Sequence, residues 1–169
     1  MPSAADRKAY LTAGLGVILL DLATKLVAEA MLLRTSGISI IGDWFQLRLV
    51  YNPGAAFGLH LGPYSRWIFF AVAVVAIFVL TRMSRATPDG DRFRQIALGL
   101  ICGGAAGNLI DRIRSSQGVV DFLDVGVGTL RWPTFNVADI AVSCGAVALA
   151  FSLWREDARR AQAEPASTV

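Results

Sequence analysis

Trp67-Ile68-Phe69-Phe70-Ala71-Val72-Ala73-Val74-Val75-Ala76-Ile77-Phe78-Val79-Leu80 is an apolar run unbroken by any charged side chain. Its β-branched and aromatic residues favour a strand in water. Its length exceeds that of an ordinary strand. A segment in hydrocarbon must pair its own N–H and C=O groups, which a helix does internally. The run therefore reads as a membrane-spanning helix. Working outward, spans are expected at about residues 10–31, 64–81, 93–113 and 137–154. Each is close to the ~20 residues that cross a hydrocarbon core of ~30 Å. Composition agrees: 54% of the 169 residues are hydrophobic and 17% charged, against about 25% charged in soluble domains. Mean hydropathy is +0.52. The chain reads as one integral-membrane domain over residues 1–169, mainly α.

The net charge of +3 is no nucleic-acid footprint, because the basic residues lie between apolar segments and form no stripe. Cys102 and Cys144 sit inside apolar runs as small packing residues. With His60 as the single histidine, no metal site is expected. Arg7 and Lys8 before an apolar run resemble the start of a signal peptide. Asp21 and Lys25 interrupt that run, so a retained first span is expected instead. Four spans put both termini and the connection between spans two and three on one side. That side carries Arg7, Lys8, Arg82, Arg85, Arg92, Arg94, Arg155, Arg159 and Arg160. The excess over Arg34, Arg48, Arg66, Arg112, Arg114 and Arg131 opposite makes it cytoplasmic. The polar tail, about residues 161–169, is expected to be disordered.

Residues 32–63 form more than a connection. Phe45-Gln46-Leu47-Arg48-Leu49 alternates apolar and polar, as a strand does. Ile38 to Ile41 is a second β-favouring run, and Gly42-Asp43 can turn between them. A small extracytoplasmic β-sheet of two or more strands is expected, its apolar face against lipid or substrate. Tyr51-Asn52-Pro53-Gly54-Ala55-Ala56-Phe57-Gly58 reads as a turn into a short interfacial helix that could act as a flap.

The polar residues fall into clusters. Asp21, Thr24 and Lys25 share a helix face, and Asp21 with Lys25 reads as a structural ion pair. Asn108, Asp111 and Arg112 repeat that spacing at the outer end of the third span. Gly99, Gly103 and Gly107 before them form a small-xxx-small ridge for close helix approach. Asn136 and Asp139 face one way at the start of the fourth span, where Asn136 is a candidate N-cap. The segment from Gly118 to Pro133 reads as a polar loop that folds back and sets Asp121 beside Asp139. Asp124, three residues on, would face away if the stretch is extended. Carboxylates near lipid are costly and mark function. Two that share a proton can activate water and polarise an amide carbonyl. A transporter would place such groups near the midplane, within repeats, and no repeat is present. A non-enzymatic assembly or lipid-binding factor is the other alternative. The tetrapeptide Gly-x-Gly-Asp of another intramembrane aspartic peptidase class does not occur.

Five blocks together resemble the lipoprotein signal peptidases, or signal peptidase II. They are Asp21-Leu22-Ala23-Thr24-Lys25, Asn52-Pro53-Gly54-Ala55-Ala56-Phe57, Gly103 through Arg112, Val120-Asp121-Phe122 and Phe135-Asn136-Val137-Ala138-Asp139. The resemblance implies a monomeric aspartic endopeptidase of the bacterial inner membrane that needs no cofactor. Its implied partners are membrane lipids and diacylglyceryl prolipoproteins, cut just before the lipidated cysteine. By position it implies Asp121 and Asp139 as catalytic dyad. It implies Asn52, Gly54, Asn108, Asp111, Arg112 and Asn136 as site lining, and a structural role for Asp21 and Lys25.

Overall fold

The structure, a computed structural model, describes residues 1–32, 37–54 and 61–163. Among them, four helices are long and apolar enough to cross a membrane. Helix α1 spans Ala4–Met31, α2 Ser65–Ala86, α3 Arg92–Arg114 and α4 Val137–Ala163. A 3₁₀ turn at Gly62–Tyr64 leads into α2. The first and fourth helices outrun their apolar stretches. Ser3 and Asp6 cap α1 reciprocally, with Asp6 N donating to Ser3 Oγ and Ser3 N to Asp6 Oδ2, both at 3.2 Å. That box starts the helix ahead of the apolar residues. Helix α4 continues past Trp154 to Ala163, so the expected disordered tail begins in helix, and residues 164–169 lie outside the described residues.

Helix α3 is central, packing on α1, α2 and α4. The glycine ridge explains how. A Cβ on Gly99 would stand 2.5 Å from Tyr10 O, and one on Gly103 2.6 Å from Gly14 O, so backbone meets backbone against α1. Gly107 leaves room for the Asp21 carboxylate, and Gly104 for the Ala138 carbonyl on α4. Lys25, Asp21 and Asp111 consequently lie at most 1% exposed between α1 and α3.

At one end of the bundle sits a four-stranded antiparallel sheet in the order β1-β2-β3-β4. Its strands are Ile38–Ile41, Phe45–Asn52, Val119–Val127 and Leu130–Arg131. The stretch read as a loop from Gly118 to Pro133 is thus mostly strand. Val119, Val120, Val125 and Val127 supply the β-branched residues, of which Val119 and Val120 are buried, and β2 supplies the pairing edge. The register sets Val50 opposite Asp121 and Asn52 opposite Val119. Part of the sheet's apolar surface packs within the protein. Leu49, Val120 and Phe122 pack on Ala28 and Leu32 at the end of α1, forming a core of their own, while Ile38, Ile40 and Ile41 of β1 remain exposed. Of the segment 51–58 expected to form a turn and flap, residues 55–58 lie outside the described residues, as does His60.

Candidate active site

The segment before α4 turns back along β3. Leu123 N donates to Phe135 O at 2.8 Å and Phe135 N to Leu123 O at 3.0 Å. This bridge delivers Asn136 to the side of Asp121. Asn136 is also the N-cap of α4: Asp139 N donates to its Oδ1 (3.0 Å), and its own N–H donates to Asp139 Oδ2 (3.2 Å). Because a backbone N–H claims Oδ1, the amide nitrogen must face the other way. It donates to Asp121 Oδ1 (2.7 Å), Val120 O (3.2 Å) and Asn108 Oδ1 (3.1 Å). One buried asparagine therefore joins the two aspartates, and capping is only part of its role.

Asn52 Nδ2 donates to Asp121 Oδ2 at 3.1 Å. Asn108 Nδ2 donates to Asp139 Oδ1 at 2.8 Å. Asp121 is 2% exposed. Burial and the neighbouring charge of Asp139 push its pKa up to about 7, against the opposing pull of the Asn52 and Asn136 amides and Lys25. Asp121 is thus poised to hold or release a proton near neutral pH beside a second carboxylate.

Arg112 lies beside the pair. It donates to Asn108 O (3.0 Å) and to Gly54 O (2.9 Å), and its guanidinium stands 5.8 Å over the Phe69 ring. Gly54 is thereby tied to the end of α3. The Arg112 Nε is buried and has no hydrogen-bond partner. A cleft of about 600 Å³ opens from the aspartates between α2 and α4. Phe69, Ala73 and Ala76 line one wall, Ile140 and Ser143 the other, and Trp132 stands at its head.

Asp111 faces away from the carboxylate pair, into the interior. Its Oδ2 accepts from Lys25 Nζ (2.8 Å) and Val120 N (3.2 Å), and its Oδ1 from Arg114 Nε (2.8 Å). Asp21 pairs with Lys25 at 2.7 Å and accepts from Ala138 N at 2.9 Å, so it ties α1 to the start of α4. Several participants were not singled out from sequence. Arg114 continues the network to Glu29 (2.9 Å), which accepts from the Tyr51 hydroxyl (3.2 Å). Its place three residues after Asp111 was the available signal. Arg66 Nε donates to Arg112 O at 2.7 Å and caps the end of α3 from α2. Asp124 is engaged elsewhere, accepting from Arg131 Nε at 2.7 Å. Among the described residues no cluster of His, Cys, Asp or Glu could hold a metal ion.

Fold and site define a multi-pass membrane protein with a carboxylate pair at one end of its helical bundle. A family model described as signal peptidase (SPase) II matches residues 14–155. The lipoprotein signal peptidase of Geobacter sulfurreducens is 40% identical over 148 residues, 87% of this chain and 92% of that protein. Those of Geobacter metallireducens and Oleidesulfovibrio alaskensis are 38% and 40% identical, covering 86% of this chain and 90% and 94% of theirs. The chain belongs to the signal peptidase II family, and is therefore a membrane peptidase. Two solved bacterial membrane enzymes share its architecture. One has a TM-score of 0.80 at 24% identity over 95% of this chain and 93% of that one. The other has 0.75 at 26% identity over 85% and 91%.

Proposed function

We propose that this chain is an intramembrane aspartic endopeptidase that removes signal peptides from diacylglyceryl-modified prolipoproteins, cutting before the lipidated cysteine. The observation that carries the reading is the Asn136 bridge, which holds Asp121 and Asp139 together at the head of an apolar cleft. One carboxylate takes a proton from water while the other, protonated, polarises the scissile carbonyl. The buried Arg112 Nε has a donor to offer a substrate carbonyl.

The site suits such a substrate. Moving a diacylated cysteine into water loses roughly 0.8 kcal/mol per CH₂, so the bond must be met at the bilayer surface. The cleft between α2 and α4 suits a signal helix, because Ala73, Ala76 and Ser143 leave space between those helices. In this reading the termini and the α2–α3 turn are cytoplasmic, and the sheet and aspartates lie at the outer face of the inner membrane. A transport role is less well supported, since the pair sits beside the sheet instead of midway along the helices. The test is incubation of purified protein with a diacylglyceryl prolipoprotein and with its unlipidated form. Release of signal peptide from the lipidated form alone is expected. Equal cleavage of both, or of neither, overturns the substrate assignment.

A further inference from the structure

The Lys25 ammonium is fully buried, and its protons meet three acceptors: Asp21 Oδ2 (2.7 Å), Asp111 Oδ2 (2.8 Å) and Asn108 Oδ1 (3.0 Å). The two carboxylates already satisfy the needs of an ion pair. The third contact has a different consequence. An ammonium only donates, so the Asn108 amide must present its oxygen to Lys25. Asn136 Nδ2, also a donor, reaches the same oxygen at 3.1 Å. With the oxygen held on that side, the Asn108 NH₂ can only point at Asp139 Oδ1.

The two aspartates then differ. Each accepts from two N–H groups, Asp121 from Asn136 Nδ2 and Asn52 Nδ2, Asp139 from Asn108 Nδ2 and Asn136 N; the difference is that Asp139 sits in the first turn of α4, where the helix favours negative charge, and is partly exposed. Asp121 lies buried on a strand. We propose that Lys25 is a positioning residue of the peptidase: by fixing the Asn108 amide it keeps Asp139 as the ionised, water-activating aspartate and leaves the shared proton on Asp121. The inference rests on the peptidase reading above. The charged groups around the pair are Lys25 and Asp21 from α1, Asp111 and Arg112 from α3, and Asp121 from β3 facing Asp139 on α4.

The proton inventory closes. Asp139 takes a proton from water as the oxygen bonds to the scissile carbon, and Asp121 gives its proton to the carbonyl oxygen. In the collapse, Asp139 passes its proton to the leaving nitrogen as the C–N bond breaks. One hydroxyl of the intermediate returns a proton to Asp121, restoring the starting state.

The experiment is a double-mutant cycle in the full chain. Lys25→Met alone strands two buried carboxylates, so it is paired with Asp111→Asn, which restores the net charge of the wild-type cluster. Asp111→Asn alone serves as the reference, and the one-charge difference from it is the same with Asn108 intact or replaced, so it cancels in the cycle. Asn108→Leu is made in both backgrounds. Removing Lys25 with Asn108 intact is expected to lower kcat roughly 10-fold with little change in KM, part of the about 10²–10⁴-fold that a positioned acid or base contributes. The acid limb of the pH–rate profile moves to higher pH, because the ionised state loses a donor. In the Asn108→Leu background the same removal changes kcat by less than about 2-fold, since contacting residues couple. Equal losses in both backgrounds, at matched folded fraction, overturn the proposal. Asn108→Leu with Lys25 intact is an independent arm, in which an unmoved acid limb in folded protein also overturns it. If the unsubstituted chain releases no signal peptide, the peptidase reading is what fails. If it does and the cycle is additive, only the role of Lys25 fails.

Discussion

Asn136→Ala and Asn136→Ser separate two roles that one side chain combines. The Asn136 oxygen caps α4 by accepting from Asp139 N, and its nitrogen donates to Asp121 Oδ1 and to Val120 O. Alanine removes both. Losing an N-cap costs about 1 kcal/mol, and a buried carbonyl deprived of its donor about 1–3 kcal/mol. The alanine variant is therefore expected to lose about 2–4 kcal/mol of stability. Serine caps as well as asparagine, so it should recover about 1 kcal/mol of that loss. Its hydroxyl is too short to reach Asp121, so the carboxylate loses its 2.7 Å donor in both variants. A single preorganised donor at a reacting centre is worth roughly 100-fold or more in kcat. Thermal unfolding in detergent reads the first quantity, and release of signal peptide from a diacylglyceryl prolipoprotein the second. The expected result is a stability order of wild type, serine, alanine, with both variants equally slow. A folded Asn136→Ser that cleaves within about 3-fold of wild type would refute the bridging role.

Asp124→Asn is expected to keep most of its activity and lose only about 1 kcal/mol of stability, because Asp124 pairs with Arg131 away from the site; turnover as low as that of Asp121→Asn would move the dyad to Asp124. Activity should fall as pH rises through about 7, where Asp121 gives up its proton. Between 3.8 and about 7 the folded chain holds a proton that the unfolded chain releases, so stability declines as pH rises over that window, and Asp121→Asn flattens the decline. A slope unchanged in that variant would assign the titration elsewhere. Cysteine probes introduced at Ser116 and Ser84 should react from the outer face only at Ser116; labelling at Ser84 instead would invert the orientation.

Much of the architecture follows from residues that have one tolerable environment. The run from Trp67 to Leu80 can only be a helix in lipid, and Gly99, Gly103 and Gly107 announce a close helix contact that α1 fills. Strand Phe45–Asn52 is legible from the alternation of Phe45 to Leu49, and strand Ile38–Ile41 from its β-favouring residues. Strand β3 was harder to see, because Gly118, Gly126, Gly128 and two aspartates disguise its valines as a loop. It becomes a strand through pairing with β2, a long-range choice that local pattern does not encode. Asn108, Asn136 and Asp139 read as polar residues at helix ends and Asp121 as part of a loop; hydrogen bonds through Asn108 and Asn136 link the four. Asp111 was grouped with them by spacing, yet it turns inward to Lys25. The helix period fixes a face but not which neighbour a side chain selects there. Lys25 read as half of a local ion pair for the same reason. Its contact with Asn108, 83 residues away in sequence, exists only because the glycine ridge brings α1 against α3.

The measurement that bears most directly on the aspartate pair is cleavage of a purified diacylglyceryl prolipoprotein by wild type, Asp121→Asn and Asp139→Asn. Each variant is first shown to be folded by thermal unfolding. An amide preserves the shape of either carboxylate and an acceptor on one side, but cannot exchange a proton. The account predicts signal-peptide release by wild type and no turnover above background by either variant. Cleavage at near wild-type rate by either folded variant would contradict it.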